Sequence, residues 1–210
     1  MQMNKTSLRR YTSLPILFDM LANKKITLLD PTSWEDRNDS FYVERYREKK
    51  QFKTVLALCF TTKRETFHQW KVFAGNSSGV CIRFSDDKLM ACFDHNHKIR
   101  TGYVAYRLMR DLEHNPPTVD ELPFIKRRQY EDEAEFRILY EDRKKELQTK
   151  AFVIDLKCID RITLSPWLPP NVAKTVKNVI WQMPGCSTMN IIRTGVIENR
   201  MWKKVANRLA

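Results

Sequence analysis

Val55-Leu56-Ala57-Leu58-Cys59-Phe60 is an unbroken apolar run. A strand with one wet face alternates polar and apolar residues, so a run without alternation reads as a strand covered on both faces. The rest of the chain must therefore supply layers on either side of it. Short segments of both kinds surround it. Leu8–Tyr11 reads as a first strand. Ser13 reads as the cap of a helix with Pro15 in its first turn and Ile16, Leu17, Met20 and Leu21 as its apolar stripe. A strand over 26–29 follows, then an acid-rich polar loop over 30–39 around Trp34, then a helix over 41–50 with a basic end. Residues 65–73 predict a short helix, 80–84 a strand, and Ser85 the cap of another helix. A short strand is expected over 103–106, an irregular stretch over 107–123 and a basic helix over 124–128. The second half of 130–140 reads as a strand, as do 152–156, 159–164 and 191–194, and a helix spans 171–182. About nine strands alternating with short helices predict an α+β fold with a mixed sheet. With 210 residues, no internal repeat and no linker, the chain reads as a single domain over 1–210 that ends in a basic tail over 195–210.

Composition excludes several classes. Five glycines leave no Gly-rich phosphate loop. No apolar run approaches the roughly 18 residues of a membrane span, and the N-terminus lacks the apolar core of a signal peptide. The five cysteines, at 59, 81, 92, 158 and 186, are odd in number and contain no CxxC pair, which fits a reduced, cytoplasmic setting. Cys59 and Cys81, inside apolar runs, read as small buried hydrophobes. The net charge is +12 and uneven: residues 166–210 hold seven Lys/Arg against Glu198, and residues 1–30 hold five against two acids. A basic surface of this kind attracts nucleic acid, nucleotides or acidic proteins; its plain alternative is solubility charge.

Six constellations could carry chemistry. In Glu133-Ala134-Glu135-Phe136-Arg137, strand alternation puts Glu133, Glu135 and Arg137 on one face. Two close carboxylates suit acid/base work or stabilisation of a developing cation; the alternative is an exposed charged face with an internal ion pair. Arg9-Arg10-Tyr11 could clamp a phosphate. His68-Gln69-Trp70, after Thr61-Thr62, offers an aromatic platform and hydroxyls, or else a core Trp with a partly exposed His. Asp30, Asp36, Asn38 and Asp39 match no metal-loop spacing and read as caps and turns. Asp155-Leu156-Lys157, on a strand, has the short pattern of a metal-dependent nuclease. Cys81, Cys92, His95 and His97 make a poor zinc set, and no metal is expected.

Taken in order, Arg10-Tyr11-Thr12-Ser13, Asp30-Pro31 with Trp34 and Asn38-Asp39, Cys59-Phe60-Thr61, His68-Gln69-Trp70, Gly79–Phe84 and Glu133–Arg137 resemble the bacterial family called domain of unknown function 2971. A more distant likeness is to the ADP-ribosyltransferase-like folds: an early strand with Arg, a central strand with a hydroxyl after an aromatic, and a later strand with Glu-x-Glu. That resemblance implies a split sheet flanked by short helices, and NAD as cofactor. It maps Arg10 onto the grip on the dinucleotide and Thr61, with Thr62, onto the hydroxyl beside the nicotinamide ribose. Glu135 maps onto the carboxylate that stabilises the oxocarbenium ion, and Glu133 onto the residue that orients an acceptor. Tyr11, His68 and Trp70 are expected to hold the substrate. Thr-Thr stands where that superfamily has Ser-Thr-Ser, and choosing Arg10 over Arg9 rests on strand parity. The implied activity is an ADP-ribosyltransferase or NAD glycohydrolase acting at a macromolecule, in a toxin or phage-defence setting. The alternatives are a nucleic-acid-binding module without catalysis and a metal-dependent nuclease.

Overall fold

The apolar run at 55–60 lies in a strand, Thr54–Thr61, that is buried along nearly its whole length. The computed structural model describes residues 7–94 and 96–208. In chain order the elements are β1 (Ser7–Ser13), α1 (Leu14–Asn23), β2 (Lys25–Leu29), α2 (Arg37–Lys49), β3 (Thr54–Thr61), α3 (Phe67–Phe73), β4 (Gly79–Ser85), α4 (Asp86–Ala91), β5 (Ile99–Tyr103), β6 (Ala105–Arg107), α5 (Met109–His114), β7 (Ile125–Arg127), β8 (Glu135–Asp142), β9 (Thr149–Val153), β10 (Ile159–Leu164), α6 (Pro170–Gln182), β11 (Ile191–Arg193) and α7 (Arg200–Ala206). Short 3-10 turns occupy Pro31–Ser33, Val119–Phe124, Arg128–Glu133 and Leu156–Cys158. Strands and helices are thus interspersed with antiparallel pairing dominant, and the α+β reading is borne out.

The described chain falls into two compact units, with the division inside β1. One takes Lys25–Lys63 and Asp86–Asp155. Its sheet runs β9-β2-β3-β8-β5, all antiparallel, with β8 laid along the full length of β3 and Thr61 opposite Glu135. A parallel pair, β6-β7, stands apart. The other unit takes Arg9–Lys24, Arg64–Ser85 and the chain from Leu156 onward. Its strands run β11-β10-β4-β1, with β10 parallel to β11 and antiparallel to β4.

Several elements differ from expectation. Residues 124–128 do not form a helix: Ile125–Arg127 pairs with Ala105–Arg107, so tertiary pairing overrides local preference. The stretch 107–123 holds α5 and a 3-10 turn that starts in a Thr118–Glu121 capping box. α2 begins four residues early, because the Asp36 side chain accepts from the backbone N–H groups of Asn38 and Asp39. Ser13 makes no side-chain cap, and Ile16 is exposed, so the buried stripe of α1 narrows to Leu17, Met20 and Leu21. Ser85 ends β4 and stands directly before α4. Part of the basic tail is helical: Asn199 caps α7 by accepting from Met201 and Trp202 N–H.

Gly79 opens β4 where an added Cβ would stand 2.4 Å from the Ala74 carbonyl oxygen. Backbone cannot rotate aside as a side chain does, so Gly79→Ala should destabilise by about 1–3 kcal/mol in chemical denaturation.

Candidate functional site

The Glu-x-Glu strand region is buried, and its charges are paired. Arg137 on β8 is wholly inaccessible. Its Nε and one Nη2 hydrogen donate to the two Glu135 carboxylate oxygens at 2.8 and 2.9 Å. Nη1 and Nη2 also donate to Asp39 at 2.8 and 2.5 Å, and Nη1 donates to the Pro123 carbonyl at 2.9 Å. All five guanidinium N–H donors are thereby used. The Trp34 ring covers the guanidinium at 4.8 Å.

Lys126 joins the cluster from β7. Its ammonium lies 2.5 Å from Glu133, 3.4 Å from Asp39 and 3.6 Å from Glu135. Three carboxylates therefore meet two cations, leaving one formal negative charge in a region of low exposure.

The two glutamates differ in kind. Glu133 is not on the strand. Ala134 takes a left-handed φ of 43°, and Glu133 lies in the preceding 3-10 turn. Burial raises the Glu133 pKa, Lys126 opposes that, and the Glu135 and Asp39 charges add to the rise; the net shift is upward. Burial would raise Glu135 too, but the charge and hydrogen bonds of Arg137 outweigh it, helped by Lys126 and the Cys59 thiol, and bring it to about 2. The Cys59 thiol is pushed well up by burial and by that carboxylate. Two neighbouring carboxyl groups with pKa values driven apart form the pattern that separates acid/base from electrostatic roles.

Glu135 also lines a cleft of about 470 Å³, within the size range of small-molecule sites. Thr62, Lys63, Tyr103, Tyr106, Asp132 and Ala134 contribute to its walls. The Glu135 N–H donates to the Tyr106 hydroxyl at 2.8 Å. Thr62 is tied at both N–H and hydroxyl to the Ala134 carbonyl, at 2.9 and 3.0 Å. Thr61, buried and opposite Glu135, accepts from the Lys63 N–H at 3.1 Å. Of the residues expected to act, Thr61, Thr62, Glu133 and Glu135 are thus brought together in one unit.

The other expected residues lie in the second unit. Arg10 and Tyr11 are successive on β1, so they face opposite ways, and Tyr11 shares its face with Arg9. The Tyr11 hydroxyl donates to Gln69 Oε1 at 3.1 Å, and its ring meets Trp70 edge-on at 5.2 Å. Trp70 is fully buried, with its indole N–H donating to Glu65 at 2.7 Å. Gln69 completes a capping box with Thr66, while His68 is exposed.

Asp30 and Asp36 serve as caps, as their spacing suggested. Asp39 does more: it is a main partner of Arg137, which sequence reasoning missed. The signal was present, because Asp39 falls at i, i+4, i+7 with Val43 and Tyr46 on the buried stripe of α2. Lys126 and Tyr106 were also missed, being brought in by the β6-β7 pairing. Asp155 and Lys157 are not on a strand: β9 ends at Val153, and Leu156–Cys158 is a 3-10 turn. Of the zinc set considered, His95 lies outside the described residues. Among the described residues, no group of three or more His, Cys, Asp or Glu is placed to hold a metal, and no helix is long and apolar enough to cross a membrane.

Comparison with known families bears on this region directly. Residues 69–138 match the model of a protein family of unknown function, DUF2971. The resemblance read from the sequence is borne out over that stretch, which runs from Gln69 to the Glu135–Arg137 pair. No curated protein matches by sequence. Among solved structures, DarT from Thermus sp. 2.9 aligns with this chain at 11% identity and a TM-score of 0.49. The alignment covers 94% of this chain and all of DarT bound to carba-NAD+, and 95% and all of DarT bound to NAD+. A third DarT structure, with ADP-ribosylated single-stranded DNA, aligns over 94% of this chain and 98% of that one.

The Arg137 cluster makes two predictions. Arg137→Gln should cost about 3–5 kcal/mol at neutral pH, since it leaves Asp39 and Glu135 buried without their counter-charge. In the unaltered protein, Glu135 is held below its ordinary value of 4.5. Its stabilisation is therefore complete above about pH 4.5 and is lost as pH falls toward 2, a contribution on the order of 3 kcal/mol. Denaturation as a function of pH should show that loss, and Glu135→Gln should flatten it.

Proposed function

We propose that the protein is an ADP-ribosyltransferase-like enzyme that uses NAD and acts at a macromolecule. The observation that carries this reading is Glu135: a carboxylate held ionised by Arg137 at the wall of a cleft, directly across β3-β8 from Thr61. The cleft suits the group. A nicotinamide ring linked to ribose is a planar cation, and Tyr103 and Tyr106 offer aromatic surface beside a cluster with one excess negative charge. NAD supplies a glycosidic bond whose cleavage places positive charge on the ribose carbon.

The chain's own residues then take separate tasks. Glu135, fixed at both oxygens, cannot reorient, so its charge meets the developing cation without reorganisation. Glu133, with its pKa raised, is the group that takes a proton from an acceptor. Arg10 keeps the role the resemblance gives it, as the grip on the dinucleotide. Tyr11 faces away from Arg10 and packs on the buried Trp70, which leaves the exposed His68 as the further group for binding. The basic surface favours nucleic acid or an acidic protein as the target, in a toxin or phage-defence setting in the cytoplasm.

A second reading has one observation of its own. Trp202 on α7 is 81% exposed and is flanked by Arg200, Lys203 and Lys204. An exposed aromatic among cations suits a single-stranded nucleic acid and requires no catalysis.

Incubation with NAD labelled on the adenylate half, with extract or purified nucleic acid, separates the two. The transferase reading expects nicotinamide release that Glu135→Gln lowers at least 100-fold. It also expects label transfer that Glu133→Gln abolishes while release persists. In the wild type, transfer should rise with pH through the elevated pKa of Glu133. Absence of release, or release indifferent to Glu135→Gln, would leave the binding module, whose affinity falls steeply with salt.

A further inference from the structure

The second unit carries an arginine cluster on one face of its sheet. β10 and β4 pair so that Arg161 stands directly opposite Arg83 and Thr163 opposite Cys81. β1 is the next strand beyond β4. Tyr11 on β1 packs against the cluster of Trp70, Ala74 and Cys81, so Arg9, two residues before it, is on the same face as Cys81. The three charges sense one another: burial lowers the pKa of Arg9, and Arg83 and Arg161 lower it further. The opposite face of these strands is apolar and buried, with Val80, Ile82, Phe84, Ile162 and Leu164. Each arginine is half-buried.

This arrangement is costly. Like charges directly across an antiparallel pair repel at about 5 Å between Cβ atoms. A register slip between Ile159 and Arg161 creates the juxtaposition, since the extra residue, Asp160, shifts Arg161 into line with Arg83. Arg83 and Arg161 are also incompletely hydrogen-bonded. The Nε atoms of Arg83 and Arg161 are buried and take no hydrogen-bond partner. Asp160 comes no nearer to Arg83 Nε than 3.7 Å, and the Glu65 carboxylate is engaged by the Trp70 indole. A buried guanidinium N–H without an acceptor costs free energy until an acceptor arrives.

We propose that Arg9, Arg83 and Arg161 form a phosphate-binding site for the phosphoryl oxyanions of a nucleotide. The planar forks match phosphate oxygens bidentately, which an ammonium does not. An anion here cancels the repulsion and satisfies both Nε donors. Two sources present the same chemistry: the pyrophosphate of a dinucleotide and the phosphodiester of a nucleic-acid strand. The site stands on this face alone and holds whether or not the transferase reading does.

The test is titration of the full chain with inorganic pyrophosphate, read by the arginine Nε–Hε resonances and by calorimetry. The Arg83 and Arg161 resonances, assigned by their loss in Arg83→Lys and Arg161→Lys, should move together. Affinity should fall at least tenfold in either lysine variant, which keeps the charge and removes the fork. Arg161→Gln should abolish binding while raising the melting temperature, because it removes the repulsion. Competition then identifies the source: displacement by NAD at lower concentration than by a short single-stranded oligonucleotide assigns the dinucleotide, and the reverse order assigns the strand. Unmoved resonances, or lysine variants that bind as tightly as the wild type, would overturn the proposal. Displacement by neither ligand would also overturn it, leaving an adventitious ion only.

Discussion

Arg137 is the residue the first unit is arranged around. A guanidinium stays charged at any accessible pH, so burial cannot be relieved by losing a proton. It has to be met by fixed acceptors, and Arg137 meets five of them in Glu135, Asp39 and the Pro123 carbonyl. Each acceptor comes from a different piece of chain. Glu135 lies on the same strand, Asp39 on α2, and Pro123 in the turn that leads into β7. The one side chain thereby fixes where a helix, a strand and a long connection sit around the end of β3-β8. Replacing such a network by apolar residues of like size can be neutral, whereas breaking it is not. Its value lies in specifying position.

Position is what the role proposed for Glu135 needs. Glu135 gives both oxygens to Arg137, and part of its charge is answered there. Asp39 draws on the same guanidinium and leaves the buried cluster one carboxylate in excess. Lys126 then separates the two glutamates in their surroundings. It contacts Glu133 closely and Glu135 more distantly, while Glu133 has no arginine of its own and sits across a left-handed Ala134. That residue breaks the alternation which, on a straight strand, would align both carboxylates. The geometry yields one rigid, ionised group and one titratable group, not an equivalent pair.

This bears on what the sequence could disclose. The apolar run of β3, the strand pattern of β8 and the helix of α6 follow from local pattern, and they were legible. So was the pairing of Glu135 with Arg137, since residues two apart on a strand share a face. Burial of that pair was not, because a charged strand face is ordinarily wet, and only the long-range partner Asp39 makes the dry arrangement tolerable. Lys126 illustrates the other limit. Its segment reads as a basic helix until the parallel partner β6 is known, and a parallel partner some twenty residues distant leaves no local trace. Trp70 was legible as either platform or core; the Glu65 acceptor for its indole, five residues back, decides for core.

Charge counted along the chain misleads in the same way. The basic excess is densest near the C-terminus, where α7 holds its cations in the open. Exposed lysines and arginines are well solvated and cost the fold little, so their presence argues weakly for any particular use. Arg9, Arg83 and Arg161 are far apart in sequence and form no run, yet the sheet brings them onto one face, and a bulge brings two of them opposite each other. Half-buried and mutually repelling, with the Nε donors of Arg83 and Arg161 unmet, they impose a cost that a solvated tail does not. A cost of that kind is what the anion proposed for this face would offset.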